Sequence, residues 1–147
     1  METDFEVTNI FFDTAPYIYL LDFNDIFREQ AKTIFSRCIQ RMIKMKTSVI
    51  TVEEFCVKPL RDGDTKLTKD FERFLRDTKT YIAPIDKATA YEAAQIRARF
   101  PGFKGMDSLQ LASAKLNGCE LFVTNDKQLK QYDEMKVLVV SELGRVD

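Results

Sequence analysis

Four acidic residues far apart in the chain, Asp13, Glu54, Asp107 and Asp126, each adjoin a segment whose pattern can carry them to one place. Asp13 directly follows an apolar run, Glu54 comes shortly after a second, Asp107 opens a stretch of small and apolar residues, and Asp126 follows a third run. What such a set could do depends on what accompanies it. The chain has no histidine, which excludes Ser-His-Asp and Cys-His triads, HExxH zinc sites and histidine general bases. Cys38, Cys56 and Cys119 are widely spaced, odd in number and without a CxxC pair. Neither a disulfide framework nor a zinc knuckle is written there, and the three read as small buried hydrophobes. Any metal site must then be built from oxygen, which favours Mg2+, Mn2+ or Ca2+. Two carboxylates about 5 Å apart repel by roughly 3 kcal/mol at an effective dielectric near 20. A divalent cation among them reverses that sign and stabilises the fold that holds them.

Each acid also has a purely structural reading. Asp13 can cap the turn before Pro16, Glu54 can be the capping-box partner of Thr51, Asp107 can offset a helix dipole, and Asp126 can be an N-cap.

Bringing these positions together requires strands alternating with helices. Residues 7–12 read as a buried strand leading through Asp13 into a loop and a helix that Pro16 helps to start. A long amphipathic helix is predicted within 25–46, where Ile26, Phe27, Ile34, Phe35, Cys38 and Met42 recur at helical spacing. Residues 48–50 read as a second strand, followed by Thr51 as N-cap and Glu54 at the third helical position of a T-x-x-E box. A turn at 61–64 precedes a charged amphipathic helix to about Thr78, and 81–85 reads as a third strand. Asp86 caps a helix that runs to about Arg99, where Pro101 and Gly102 end it. A further helix spans about 106–116, with Asn117 and Gly118 as its C-cap. Residues 120–123 read as a fourth strand, 126–132 as a short helix and 136–140 as a fifth strand. The spacing predicts one α/β domain over residues 1–147, a three-layer α/β/α sandwich around a central, mainly parallel sheet of about five strands. Ligands of such sheets bind beyond the carboxyl ends of the strands, where Asp13, Glu54 and Asp126 would sit and toward which Asp107 would project.

A content of 45% hydrophobic and 31% charged residues, with 5 Gly and 4 Pro, leaves little room for linkers or disorder. The apolar stretch at 15–21 falls far short of the roughly 20 residues that cross a bilayer. It also lacks the basic flank and cleavage site of a signal peptide. A cytoplasmic protein with no membrane partner is the expectation. A net charge of -1 announces no global basic field, but Arg97, Arg99 and Lys104 cluster just before Asp107. A second cluster comprises Arg37, Arg41, Lys44 and Lys46. Both also fit solvated helix faces.

The segments I-F-F-D-T at 10–14, T-V-E-E-F at 51–55, G-M-D-S-L-Q-L-A-S-A at 105–114 and L-F-V-T-N-D at 121–126 resemble, in order and context, the PIN-domain nucleases. Among these the chain is most similar to the small VapC-type toxins, over about residues 7–140. The resemblance implies a PIN-like fold and a metal-dependent endoribonuclease that hydrolyses RNA phosphodiesters with Mg2+ or Mn2+. It further implies 3'-hydroxyl and 5'-phosphate product ends, a small antitoxin that blocks the site by inserting a basic side chain among the acids, and a homodimer. The family's acidic quartet then falls on Asp13, Glu54, Asp107 and Asp126 as catalytic and metal-binding residues. Asp13 and Asp107 are the first choice as direct ligands. Thr14, Thr124 and Asn125 would support them, and Arg97, Arg99 and Lys104 would contact RNA. Glu53 competes with Glu54, since a step of about 100° round the helix decides which faces the site. A haloacid-dehalogenase phosphatase would need a second acid at the place of Ala15, and a receiver domain would need paired acids and a late Lys. The remaining alternative is a PIN-fold module that binds RNA or protein without cleaving.

Overall fold

Alternation along one short strand accounts for the layering. In β1 (Asn9–Phe12), Ile10 and Phe12 enter one hydrophobic cluster while Phe11 enters another. The neighbouring β4 (Leu121–Thr124) repeats this: Leu121 and Val123 join the first cluster and Phe122 the second, stacked on Phe11 at 5.4 Å between ring centroids. A strand apolar on both faces must be covered on both. The computed structural model describes residues 6–144, so residues 1–5 and 145–147 of the expected domain lie outside it.

With β2 (Lys44–Ser48), β3 (Tyr81–Ala83) and β5 (Lys136–Val139), these strands form one sheet in the order β3-β2-β1-β4-β5, every pairing parallel. One face is covered by α1 (Thr14–Leu21), α2 (Arg28–Gln40), α3 (Val49–Asp62) and α4 (Thr65–Asp77). Its aromatic centre includes Phe12 stacked on Phe35 at 4.2 Å and Phe55 on Phe71 at 4.0 Å. The other face carries α5 (Lys87–Arg99) and α6 (Gly105–Leu116), through Ala93, Ile96, Leu111, Ala112 and Ala114. Burying each large apolar side chain contributes roughly 1.5–3 kcal/mol, and together they fix the helices that carry the acids. This is the α/β/α sandwich read from the sequence, with all five strands parallel.

Local boundaries differ in ways that bear on Glu54. The long helix occupies 28–40 rather than 25–46, because Met42 takes a left-handed backbone (φ 56) and Ile43 N–H bonds back to Cys38 O, closing the helix. The second strand is therefore 44–48 and not 48–50, and Ser48, not Thr51, caps α3, accepting from Ile50 N–H at 3.1 Å. Thr51 is fully buried inside the helix. Glu54 thus lies past the first turn and is no capping-box partner. The turn expected at 61–64 is tighter: α3 runs to Asp62 and ends at Gly63 (φ 69), the left-handed C-terminal position that a side chain would strain.

Candidate functional site

Strand order reverses at β1, with β2 and β3 to one side and β4 and β5 to the other. The carboxyl ends of β1 and β4 therefore bound the crevice where open parallel sheets take ligands. Asp13 is the residue after β1, and its N–H donates to Val123 O at 2.9 Å, which locks it against β4. Only 9% exposed, its carboxylate has both oxygens engaged. Oδ1 accepts from Thr14 N–H at 2.8 Å, as N-cap of α1, and from Gln110 Nε2 at 3.3 Å. Oδ2 accepts from Thr124 Oγ1 at 2.8 Å. Burial pushes this carboxyl up, the Thr14, Thr124 and Gln110 bonds oppose the rise, and the Glu54 charge adds to it.

Asp107 stands in the first turn of α6, whose N-cap, Lys104, makes no side-chain capping bond. Its carboxyl is pushed up to about 6, first by burial and then by the charges of Asp13, Asp126 and Glu54, against which Lys104 acts. These couplings reach Asp107 from β1, the end of β4 and α3, so the four acids share one neighbourhood. Glu54, Asp107 and Asp126 line an open cleft with Lys104, Gly105, Met106 and Leu109. The exposed Glu54 accepts from Thr14 Oγ1 at 2.6 Å, while the adjacent Glu53 is exposed one step round the helix. Asp126 is also an N-cap, accepting from Gln128 N–H at 3.0 Å, so there the capping role and the cleft position coexist, while Asp13, the N-cap of α1, lies buried beside the cleft.

The remaining positions divide by what they touch. Thr14 and Thr124 bond the acids directly, and Thr124 Oγ1 also accepts from Asp126 N–H at 3.2 Å. Asn125 faces elsewhere: it donates to the Tyr19 hydroxyl at 2.7 Å and accepts from Ser141 N–H at 2.8 Å. Lys104 lines the cleft, and Arg97 Nη1 lies 3.8 Å from where a Cβ on Gly105 would stand, at its rim. Arg99 is paired with both oxygens of Asp133 at 2.7 and 2.8 Å and with Glu134 at 3.4 Å.

Sequence reasoning missed Gln110, Ser48 and Thr51. Gln110 is 1% exposed and bonds Ser48, Thr51 and Asp13. Its signal was available, since a glutamine three residues after Asp107 shares its helix face in an otherwise small and apolar segment.

The donor set, four carboxylates with hydroxyls around them and no imidazole, fits a hard divalent cation. Cys38 and Cys119 are free thiols that burial pushes up to about 12, which keeps them protonated. Among the described residues no three acidic or sulfur side chains stand at the close spacing of a ready metal cage. No helix among them is long and apolar enough to cross a membrane.

No curated protein matches the chain in sequence. Among solved structures it is similar to VapBC2 from Rickettsia felis bound to a promoter DNA fragment, at 12% identity and TM-score 0.73, over 89% of this chain and 98% of that one. A toxin-antitoxin complex from Klebsiella pneumoniae aligns at 22% identity and TM-score 0.67, over 91% and 99%. The sarcin-ricin loop cleaving toxin VapC20 of Mycobacterium tuberculosis aligns at 16% identity and TM-score 0.64, over 77% and 86%. At these identities the likeness is one of fold. The family itself is identified by sequence: residues 10–135 match the PIN domain, and the chain belongs to that family.

Proposed function

We propose that the chain is a Mg2+- or Mn2+-dependent endoribonuclease and the toxin of a toxin–antitoxin pair. The observation that carries this reading is the gathering of Asp13, Glu54, Asp107 and Asp126 where the strand order reverses, with Asp107 raised to about 6 by burial and its acidic neighbours. Membership of the PIN domain family supports nuclease chemistry. The sarcin-ricin loop cleaving toxin of Mycobacterium tuberculosis and the Klebsiella pneumoniae toxin-antitoxin complex support the finer assignment by their fold alone.

Asp13 and Asp107 would hold the ion, Glu54 would ligate or position water, and Asp126 would complete the site. The chemistry supplied by a bound ion is charge neutralisation at the phosphodiester and activation of water. Thr14 and Thr124 hold the carboxylates of Glu54 and Asp13 in fixed rotamers. Lys104 and Arg97 would steer the RNA backbone to the cleft. An antitoxin would close the cleft with a basic side chain among the acids. Homodimerisation and a cytoplasmic location complete the proposal.

The test is cleavage of RNA by purified protein with Mn2+ or Mg2+, giving 5'-phosphate ends, with the Asp13→Asn variant inert. Intact RNA under both metals, together with no thermal shift on adding either, overturns the reading. A PIN-fold module that binds without cleaving draws on the open spacing of the carboxylates; RNA retained uncut under both metals would favour it.

A further inference from the structure

We infer that Gln110 is a positioning residue that sets the Asp13 carboxylate for metal uptake, through a buried hydrogen-bond chain running Ser48–Gln110–Asp13. The inference rests on the metal-dependent reading above.

The Asp13 carboxylate determines which way round the amide sits. Ionised, it only accepts, so the Gln110 NH2 must face it, and Oε1 turns to Ser48. The Ser48 hydroxyl donates to that Oε1 at 2.5 Å while its Oγ accepts from Ile50 N–H as the cap of α3. The two amide protons meet two acceptors, Thr51 Oγ1 at 2.8 Å and Asp13 Oδ1 at 3.3 Å. Gln110, Ser48 and Thr51 are each 1% exposed or less, so water does not replace these partners cheaply. One amide thus joins α6, which carries Asp107, to the start of α3, which carries Glu54, and to the end of β1, which carries Asp13.

The geometry also divides the labour at Asp13. Thr124 holds Oδ2 from β4, and Gln110 acts on Oδ1 from the opposite element, so the plane of the carboxylate is set from two sides. At 3.3 Å the Gln110 bond is the longer one. With Thr14 N–H it occupies both lone-pair sites of Oδ1, so the site open to a cation is the one that Thr124 leaves on Oδ2. An apolar side chain of similar length would fill the space and leave Oδ1 held by Thr14 N–H alone, a looser setting of the carboxylate plane. Groups that orient metal ligands typically change affinity by about 10–100-fold when removed.

The test compares wild type, Gln110→Met and Ser48→Ala by calorimetric Mn2+ titration, circular dichroism and RNA cleavage across a Mn2+ series. For Gln110→Met the expected result is a native spectrum, a Mn2+ Kd raised about tenfold, and a cleavage rate that recovers as Mn2+ is raised. A merely structural role would lower stability without that recovery. Ser48→Ala leaves Gln110 in place but frees its amide, and is expected to raise Kd about threefold, a part of the Gln110→Met effect. It keeps the question open to decision if Gln110→Met does not fold. Wild-type-like Kd in whichever variants fold overturns the positioning role while leaving the nuclease reading intact. Failure of the wild type to bind Mn2+ or cut RNA overturns both.

Discussion

At Asp107 a carboxyl held at about 6 couples stability to pH and, in the proposed metal site, metal uptake to pH as well. The unfolded value lies near 3.9, so between about pH 4 and pH 6 the folded protein holds the extra proton. Stability of the metal-free protein therefore falls as pH rises through that window, and the ionised group is a net cost above it. Asp107→Asn removes the cost. Conversion at about 1.4 kcal/mol per pH unit, reduced for solvent screening at a half-buried group, gives an expected gain of about 1 kcal/mol at pH 7.5, read by urea denaturation. The same variant should lose the thermal shift that Mn2+ gives the wild type. Because Mn2+ must displace the Asp107 proton below its titration point, wild-type affinity should fall about tenfold per pH unit below 6 and stay nearly flat from 7 to 8. Calorimetry across that range checks it; affinity that does not change between pH 5 and pH 7 would show that Asp107 is not a ligand.

The elements around these residues were legible to different degrees. Asp86 capping α5 through Thr89, and Asn117 and Gly118 ending α6, follow from local chemistry and stand as read. The paired apolar faces of β1 and β4 likewise announced a sheet covered on both sides. The start of α3 was not legible, because β2 reads K-M-K-T-S and looks like the tail of a charged helix. What makes it a strand is tertiary: Lys46 lays its stem along the sheet and donates to Asn117 O at 2.8 Å, satisfying the last turn of α6. The acids could be named because strand-end topology and the PIN-domain motifs pointed to the same four positions, whereas the Gln110 chain joins partners as many as 97 positions apart. At the far end of the Glu54 helix, Gly63 has open space for a Cβ but a φ of 69. Gly63→Ala should therefore cost about 1 kcal/mol in chemical denaturation while leaving RNA cleavage unchanged; a matching loss of activity would mean that the α3–α4 turn also reaches the substrate.

Across the whole molecule, a net charge of -1 gives no attraction for RNA at long range, so the proposed RNA cleavage would depend on where the cations stand around the acidic cleft. Arg99 is neutralised by Asp133 and Glu134, and Lys115 by Glu92 and Glu134, which makes both parts of a network fastening α5 and α6 to the segment before β5. Arg97 and Lys104 lie instead at the rim and wall of the cleft. In the proposed ribonuclease they would meet the RNA phosphates, whereas Arg99 would first have to break its own pairs. Replacing Arg97 and Lys104 together by Gln should raise KM for RNA several-fold and reduce the salt dependence of binding by about one to two in log–log slope. Loss of Lys104 also removes a cation that acts against the Asp107 rise, so the pH at which Mn2+ affinity begins to fall should move upward in the same variant. Arg99→Gln should leave KM and the salt slope as they are and lower stability only slightly, since its pairs are solvent-screened. Measuring KM from 50 to 300 mM salt separates the cases, and a slope unchanged in the Arg97/Lys104 variant but lowered by Arg99→Gln would put the RNA path on the opposite flank of α5.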